Sequence, residues 1–154
     1  MAQVEKFYLP DELHYDSEEH LWVKVENGVA RVGMDQLGQE SAGTIVHISI
    51  PASNKQFHKK DGFGFLAAGK FVGPMKIPIN GRIVTINYKV LAKPELINQD
   101  PYGEGWLIIV RPEHLEEDLL SLLHGDEVVT GWLRTKIQNY RERGILPEHQ
   151  TGKF

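Results

Sequence analysis

The chain has 154 residues, 41% hydrophobic and 25% charged, with 17 basic against 21 acidic side chains and a net charge of −4. That length suits one domain with a real core rather than two, and an acidic balance without a long Lys/Arg run argues against nucleic acid or an anionic membrane surface as a partner. The absence of cysteine excludes a disulfide framework, a thiolate nucleophile and Cys-ligated zinc or iron–sulfur sites, so any redox or acyl-transfer chemistry must draw its sulfur from an attached group.

Residues 1–14, with Pro10 and scattered acids, read as a loosely docked N-terminal arm. "MAQVEKFYLP" is too polar for a signal peptide and no apolar run reaches spanning length, so a cytoplasmic location is expected. From "HLWVKVENGVARVGM" the pattern turns to β. Leu21, Val23 and Val25 alternate with Trp22, Lys24 and Glu26, and Asn27-Gly28 marks a type I′ hairpin turn leading into Val29 to Gly33. "MDQLGQESAG" predicts a short helix stopped by Gly43, and "TIVHISI" a buried strand ended by Pro51.

"PASNKQFHKKDG" reads as a polar connection closing at Asp61-Gly62. "FGFLAA", "FVGPMKIP" and "GRIVTINYKV" follow as short strands, "AKPELINQDPYGEG" as a long connection and "WLIIV" as a further buried strand. Many short strands with Gly and Pro turns predict a mainly β sandwich or barrel core over residues 15–125. "EHLEEDLLSLLHG" then predicts a helix with Gly125 as its C-cap. A second helix is expected from Asp126 to Arg143, its Val128, Val129, Trp132, Leu133, Ile137 and Tyr140 forming an apolar face that packs on the β core. The tail "LPEHQTGKF" has no periodicity and is expected to fray. Residues 126–154 thus flank the domain.

Seven histidines are scattered without an H-x-x-x-H pair or a joining carboxylate cluster, so no metal site is expected. Neither a nucleophile elbow nor a P-loop is present, and the glycines at 62, 64, 69 and 73 make no dinucleotide fingerprint. Lys70 stands apart by its setting. Phe63 and Phe65 lead in, Ala67-Ala68-Gly69 thins the chain, and Phe71 and Val72 lead out. Gly69 permits the positive φ that tight hairpin turns often require, and a lysine at such a tip would hold its amine in water, where a modifying enzyme can reach it.

Counting from Lys70, Pro78 lies at +8 and Gly81 at +11. This frame resembles the lipoyl-domain hairpin, in which the modified lysine occupies one turn and a proline and glycine mark the next. Lys76 fails the same count; its Met75-Lys76 pair is similar to the biotin-carrier motif, but Ile77 replaces the second methionine. The likeness spreads over roughly residues 14–124. "HLWVKVENGVARVGM", "GQESAGTIVHISIP" and "KPELINQDPYGEGWLIIV" resemble successive segments of the glycine-cleavage H protein family. The resemblance implies a lipoyl/biotinyl-type β-sandwich, or hybrid barrel, with a short helix and C-terminal helices. It implies lipoate in amide linkage on Lys70, and a non-catalytic carrier served by a lipoate ligase or lipoyl transferase and a dihydrolipoyl dehydrogenase.

The sequence also departs from that family. Leu21 stands in the usual His-Glu-Trp, Leu37 where the family has histidine, Ala67-Ala68-Gly69-Lys70 where it has Glu-Ser-x-Lys, and Pro74 where it has an acid. The resemblance places these positions around the cleft that shelters the loaded arm, making Leu21, Leu37, Ala67, Gly69 and Pro74 the cleft candidates. A leucine-lined cleft does not offset the desolvation of an ammonium group. The expectation is therefore a specialised carrier, similar to the H-like lipoate-binding proteins of heterodisulfide-reductase-like sulfur oxidation, which shuttles a sulfur-bound intermediate to that complex. The alternatives are a true glycine-cleavage H protein carrying aminomethyl between glycine-cleavage enzymes, and an unlipoylated adaptor binding partners through the Trp132/Ile137 face.

Overall fold

Asn27 (φ 49°) and Gly28 (φ 80°) both take positive φ, as a type I′ turn requires. They join β4 (Leu21–Glu26) to β5 (Val29–Met34) in a two-residue hairpin with Glu26 opposite Val29. The computed structural model describes residues 2–51 and 54–147. Its remaining elements are β1 (Ala2–Val4), β2 (Phe7–Leu9), β3 (His14–Asp16), α1 (Gln36–Ala42), β6 (Ile45–Ser49), β7 (Lys55–Phe57), β8 (Gly62–Ala68), β9 (Val72–Lys76), β10 (Gly81–Ile86), α2 (Tyr88–Ala92), α3 (Leu96–Gln99), β11 (Ile108–Pro112), α4 (Leu115–Leu119) and α5 (Asp126–Glu142). The architecture is mainly β. A six-stranded sheet runs β3-β4-β5-β11-β10-β7, a three-stranded sheet β6-β8-β9, and β1-β2 form a separate hairpin; all pairings are antiparallel.

The core lies between the two larger sheets. Leu21, Val23, Val32, Ile48, Phe63, Leu66, Ile83 and Val110 are all buried in it, each contributing about 1.5–3 kcal/mol by leaving water. β4 is covered on both faces at its start, because Trp22 points the opposite way into a second cluster with Phe7, Leu9, Tyr15, Leu37, Val129, Leu133, Ile137 and Leu146. That second cluster corrects the expectation for residues 1–14. The N-terminal arm is no loose attachment: Ala2, Phe7 and Leu9 are buried, and the Glu5 carboxylate receives both guanidinium nitrogens of Arg141. Two three-residue strands carry too few apolar residues to show a period, and they are buried because α5 lies against β1 and α1 against β2.

Several local expectations also change. The polar connection after Pro51 contains β7, which pairs with β10. "GRIVTINYKV" is strand only to Ile86, because the Asn87 side chain accepts from Lys89 N–H and caps α2. The long connection holds α3. The helix expected after Pro112 closes after five residues, and Gly125 (φ 99°) precedes α5 instead of capping α4. α5 packs its Val129, Leu133 and Ile137 into the second cluster, while Val128 stays exposed. The Trp132/Ile137 face proposed for an adaptor is therefore largely interior. Of the tail, Leu146 is buried in the same cluster, and residues 148–154 lie outside the described residues. Among the described residues no helix is long and apolar enough to cross a membrane.

Candidate functional site: the Lys70 hairpin and its cleft

Lys70 occupies the turn between β8 and β9. Ala67 pairs with Val72, and Ala68 N–H donates to the Phe71 carbonyl at 2.8 Å, closing the turn. The tip is anchored as well. Gly69 N–H donates to the Thr44 carbonyl at 3.1 Å and Lys70 N–H to the Ala42 carbonyl at 2.8 Å, which ties the turn to the junction of α1 and β6. The positive φ falls at Gly43 (85°), not at Gly69, which is outside the left-handed region. Gly43 ends α1 and lies against Gly69: a Cβ there would sit 3.7 Å from the Gly69 backbone and from Lys70 Cε. The glycine freedom that shapes the tip belongs to the C-cap of the neighbouring α1. Asn98 completes the anchor, accepting from Ile45 N–H at 2.8 Å and donating to Gln39 Oε1 at 2.8 Å and to the Gly43 carbonyl at 3.0 Å.

The Lys70 side chain is exposed, yet its ammonium is not adrift in water. Nζ donates to the Ile145 carbonyl, 3.0 Å away, just past the end of α5. Beside it opens a cleft of about 460 Å³. Met34, Ala42, Phe71 and Pro74 give it apolar lining, and Glu18, Glu19, His20, Lys76 and Tyr140 give it polar lining. Of the sequence-based cleft candidates, Pro74 lines it and Gly69 sits in the anchored turn. Leu21 (1% exposed) and Leu37 (fully buried) belong to the two hydrophobic cores, and Ala67 lies on β8 opposite Val72 without reaching the cleft. The cleft is therefore not leucine-lined. Its acids come from Glu18 and Glu19, a pair that precedes His20 in sequence and gave no periodic or motif signal.

Behind the cleft lies a buried polar chain. Asp35 caps α1, accepting from Gly38 N–H at 2.8 Å through Oδ1. Its other oxygen faces His20 Nδ1 at 4.0 Å, and neither atom has a hydrogen-bond partner. His20 Nε2 meets the Tyr140 hydroxyl at 2.5 Å. Burial pushes Asp35 up to about 7, against the N–H bonds of Gly38 and Leu37. Burial likewise pushes His20 down to about 4, helped by Lys136, so the imidazole is neutral at pH 7. We assign the imidazole proton to Nδ1, the nitrogen that faces the Asp35 carboxyl; in that tautomer Nε2 accepts from Tyr140. His20 also holds a positive φ of 58°, fixed by His20 N–H donating to the Asp16 carbonyl and Asp35 N–H to the His20 carbonyl. Asp16 accepts from Lys60 Nζ at 2.9 Å; burial alone would raise its carboxyl, but Lys60 and the Glu18 and Glu19 N–H groups hold it below the usual range. Glu19 is raised, by burial first and then by Asp16.

A lysine on an anchored hairpin beside a partly apolar cleft suits the class of proteins that present an attached group. The comparisons agree. The family model for the glycine cleavage H-protein matches residues 13–134. Glycine cleavage system H protein 2 of Aquifex aeolicus is 41% identical over 136 residues, covering 88% of this chain and 81% of the relative. Glycine cleavage system H protein 3 of the same organism is 37% identical over 123 residues, 77% and 76% of the two chains. The crystal structure of a glycine cleavage system H protein from Mycobacterium marinum superposes with a TM-score of 0.64 at 28% identity, covering 68% of this chain and 86% of that one. This chain belongs to the glycine cleavage H-protein family. Members of that family are non-catalytic carriers with lipoate bound covalently to a lysine.

The site fits such a group. The Lys70 amine is exposed at a turn, and the neighbouring cleft offers Met34, Phe71 and Pro74 to a small apolar ring.

Proposed function

We propose that Lys70 is the lipoyl-bearing lysine, and that the protein serves as a glycine-cleavage-type H carrier whose cargo is the aminomethyl fragment of glycine. The observation that supports the cargo is the pair of carboxylates, Glu18 and Glu19, lining the cleft next to Lys70. An ammonium-bearing cargo leaving water needs a countercharge, and these acids supply one where Leu21 and Leu37 do not. When attached, lipoate supplies a dithiol/disulfide couple on a long arm, which accepts and releases fragments at sulfur. The chain's own residues do the remainder. The Ala42 and Thr44 carbonyls fix the Lys70 turn, so that the arm starts from a rigid origin and its effective concentration at a docked partner is high. The zero cysteine count keeps the scaffold from forming mixed disulfides with the arm. Partners under this reading are the enzyme that attaches lipoate, the glycine-cleavage enzymes and a dihydrolipoyl dehydrogenase.

A second reading keeps Lys70 and changes the cargo to a sulfur-bound intermediate of oxidative sulfur metabolism, delivered to a heterodisulfide-reductase-like complex. Two observations favour it. Leu21 and Leu37 stand where the family resemblance places charged or polar cleft residues, and two of the similar relatives are H proteins numbered 2 and 3 within one organism, so several copies need not serve one reaction.

The intact mass of protein made in its own host, with peptide mapping, tests the attachment. One lipoyl group on Lys70, absent from Lys70→Arg and never found on Lys76, is the expected result; an unmodified chain in a lipoylation-competent host refutes it. Loading from glycine by a pyridoxal-dependent glycine decarboxylase tests the cargo. Robust aminomethylation supports the first reading, and failure with a fully lipoylated chain turns the assignment to the second.

A further inference from the structure

Beyond residue 134, where the family match ends, the chain builds a structure that bears directly on Lys70. α5 runs on to Glu142 and closes in a Schellman turn: Gly144 takes φ 73°, Gly144 N–H donates to the Arg141 carbonyl at 3.1 Å, and Ile145 N–H donates to the Tyr140 carbonyl at 2.8 Å. The turn reverses the chain, and Leu146 is buried in the second cluster. Arg141 ties the arch on both sides, through Glu5 on the N-terminal hairpin and through the Pro147 carbonyl at 3.0 Å. Two groups of this arch line the Lys70 cleft, Tyr140 and Ile145. The Ile145 carbonyl holds Lys70 Nζ at 3.0 Å, at the end of a 17-residue helix whose negative dipole end favours a cation.

We propose that this C-terminal arch is a second wall of the carrier cleft, which docks the unmodified Lys70 amine on the Ile145 carbonyl and, once the arm is attached, turns the Tyr140 hydroxyl oxygen toward hydrogen-bond donors carried on the arm. This rests on Lys70 as the attachment site. The argument for Tyr140 is one of satisfied valences. In the tautomer with the His20 proton on Nδ1, the Tyr140 hydroxyl gives its proton to Nε2 at 2.5 Å, so the phenol oxygen retains only lone pairs, accepts and does not donate. Asp35 behind His20 polarises the chain in the same sense. A thiol S–H or an ammonium on the arm is matched by such an acceptor, whereas a bare carboxylate is repelled. Acylation removes the charge from Nζ and leaves it one N–H, so the hold of the Ile145 carbonyl weakens from a charge-assisted to a neutral hydrogen bond when the arm is installed. The wall adds one neutral acceptor, beyond the family-matched residues, to a cleft that Glu18 and Glu19 already line.

Because the chain has no cysteine, every thiol on the reduced lipoyl protein belongs to the arm. The test alkylates reduced, fully lipoylated protein with iodoacetamide and compares the wild type with Tyr140→Phe, which keeps the ring and its packing. The expected result is an arm that reacts more slowly in the wild type than free dihydrolipoamide does, and about three- to tenfold faster in Tyr140→Phe, the scale of one hydrogen bond. A parallel measurement uses unlipoylated protein and acetylation of Lys70 by N-hydroxysuccinimide acetate, with exposed Lys93 as internal reference. Gly144→Val, which strains the left-handed turn, is expected to raise the relative rate at Lys70 about threefold. Equal arm reactivity in the wild type and Tyr140→Phe, with lipoate mapped to Lys70, overturns the role given to Tyr140. Unchanged Lys70 acetylation in Gly144→Val overturns the docking. A chain that lacks lipoate at Lys70 refutes the proposed function instead, and the acetylation result still judges the arch.

Discussion

Asn98 is the residue on which the geometry of the Lys70 turn depends without touching it. Its side chain makes three hydrogen bonds, from Ile45 N–H and to Gln39 Oε1 and the Gly43 carbonyl, and it thereby joins α3, α1 and the start of β6. In Asn98→Ala the three bonds are lost together, and the amide of Ile45, a residue 1% exposed, is left without its partner. At roughly 1 kcal/mol net per bond, with the buried orphan at the upper end, the cost is about 3 kcal/mol. For a chain of this length that corresponds to a melting temperature lower by about 6–12 °C. Asn98→Asp, similar in shape, keeps the acceptor and loses both donors; it is expected to lose at least as much, since a carboxylate would face the Gly43 carbonyl. Urea unfolding gives the free energy. Hydrogen exchange gives the local effect, because Gly69 and Lys70 N–H groups bond to Thr44 and Ala42, on either side of Gly43, and are expected to lose protection beyond the global change. A loss below about 0.5 kcal/mol, or unchanged exchange at Gly69 and Lys70, would refute this account of the turn.

The buried pair behind the cleft has a pH signature. Asp35, raised to about 7, contributes stability present below about pH 4 and lost as the pH rises to about 7; His20, lowered to about 4, contributes stability present above about pH 6.5 and lost as the pH falls to about 4. The two slopes oppose each other in the wild type. Asp35→Asn keeps the helix cap and removes one of them, so its stability in urea is expected to rise between pH 4.5 and 7 by up to about 3 kcal/mol, and a flat profile would contradict the His20 assignment. Gly33→Ala would press a Cβ into the Trp22 indole, whose Nε1 donates to the Pro101 carbonyl at 3.0 Å. An overpacking cost of about 2–3 kcal/mol and a shifted tryptophan emission are expected, and wild-type values for both would show that the indole moves freely. Arg141→Ala cuts both the ion pair to Glu5 and the bond to the Pro147 carbonyl; with side chains 21% and 28% exposed, the ion pair is expected to contribute about 1 kcal/mol that shrinks in high salt, and a wholly salt-independent loss would mean that the Pro147 bond or packing, not charge, is what Arg141 supplies.

Local chemistry determined a good part of this protein from the sequence alone. Asn27-Gly28 can hardly be anything but a tight hairpin turn, Asp35 and Gly43 bracket a helix of seven residues by capping, and the α5 stripe has helical period. The frame of Lys70, Pro78 and Gly81 marked the hairpin tip through its resemblance to the lipoyl-domain hairpin, not through local turn chemistry. What surrounds the tip was decided elsewhere. Glu18, Glu19 and His20 lie some fifty residues before Lys70, and Tyr140 and Ile145 seventy or more after it; no periodicity links such distances, and only the packing of β4, α1 and α5 brings them to one cleft. Leu21 and Leu37 illustrate the same limit from the other side. The family resemblance placed them at the cleft, but a leucine gains more by leaving water than by lining an open groove, and each is drawn into a core that the sequence does not outline. The second cluster, built from two three-residue strands, one face of a helix and the far side of Trp22, exists only as a sum of distant pieces, and with it comes the arch that reaches Lys70.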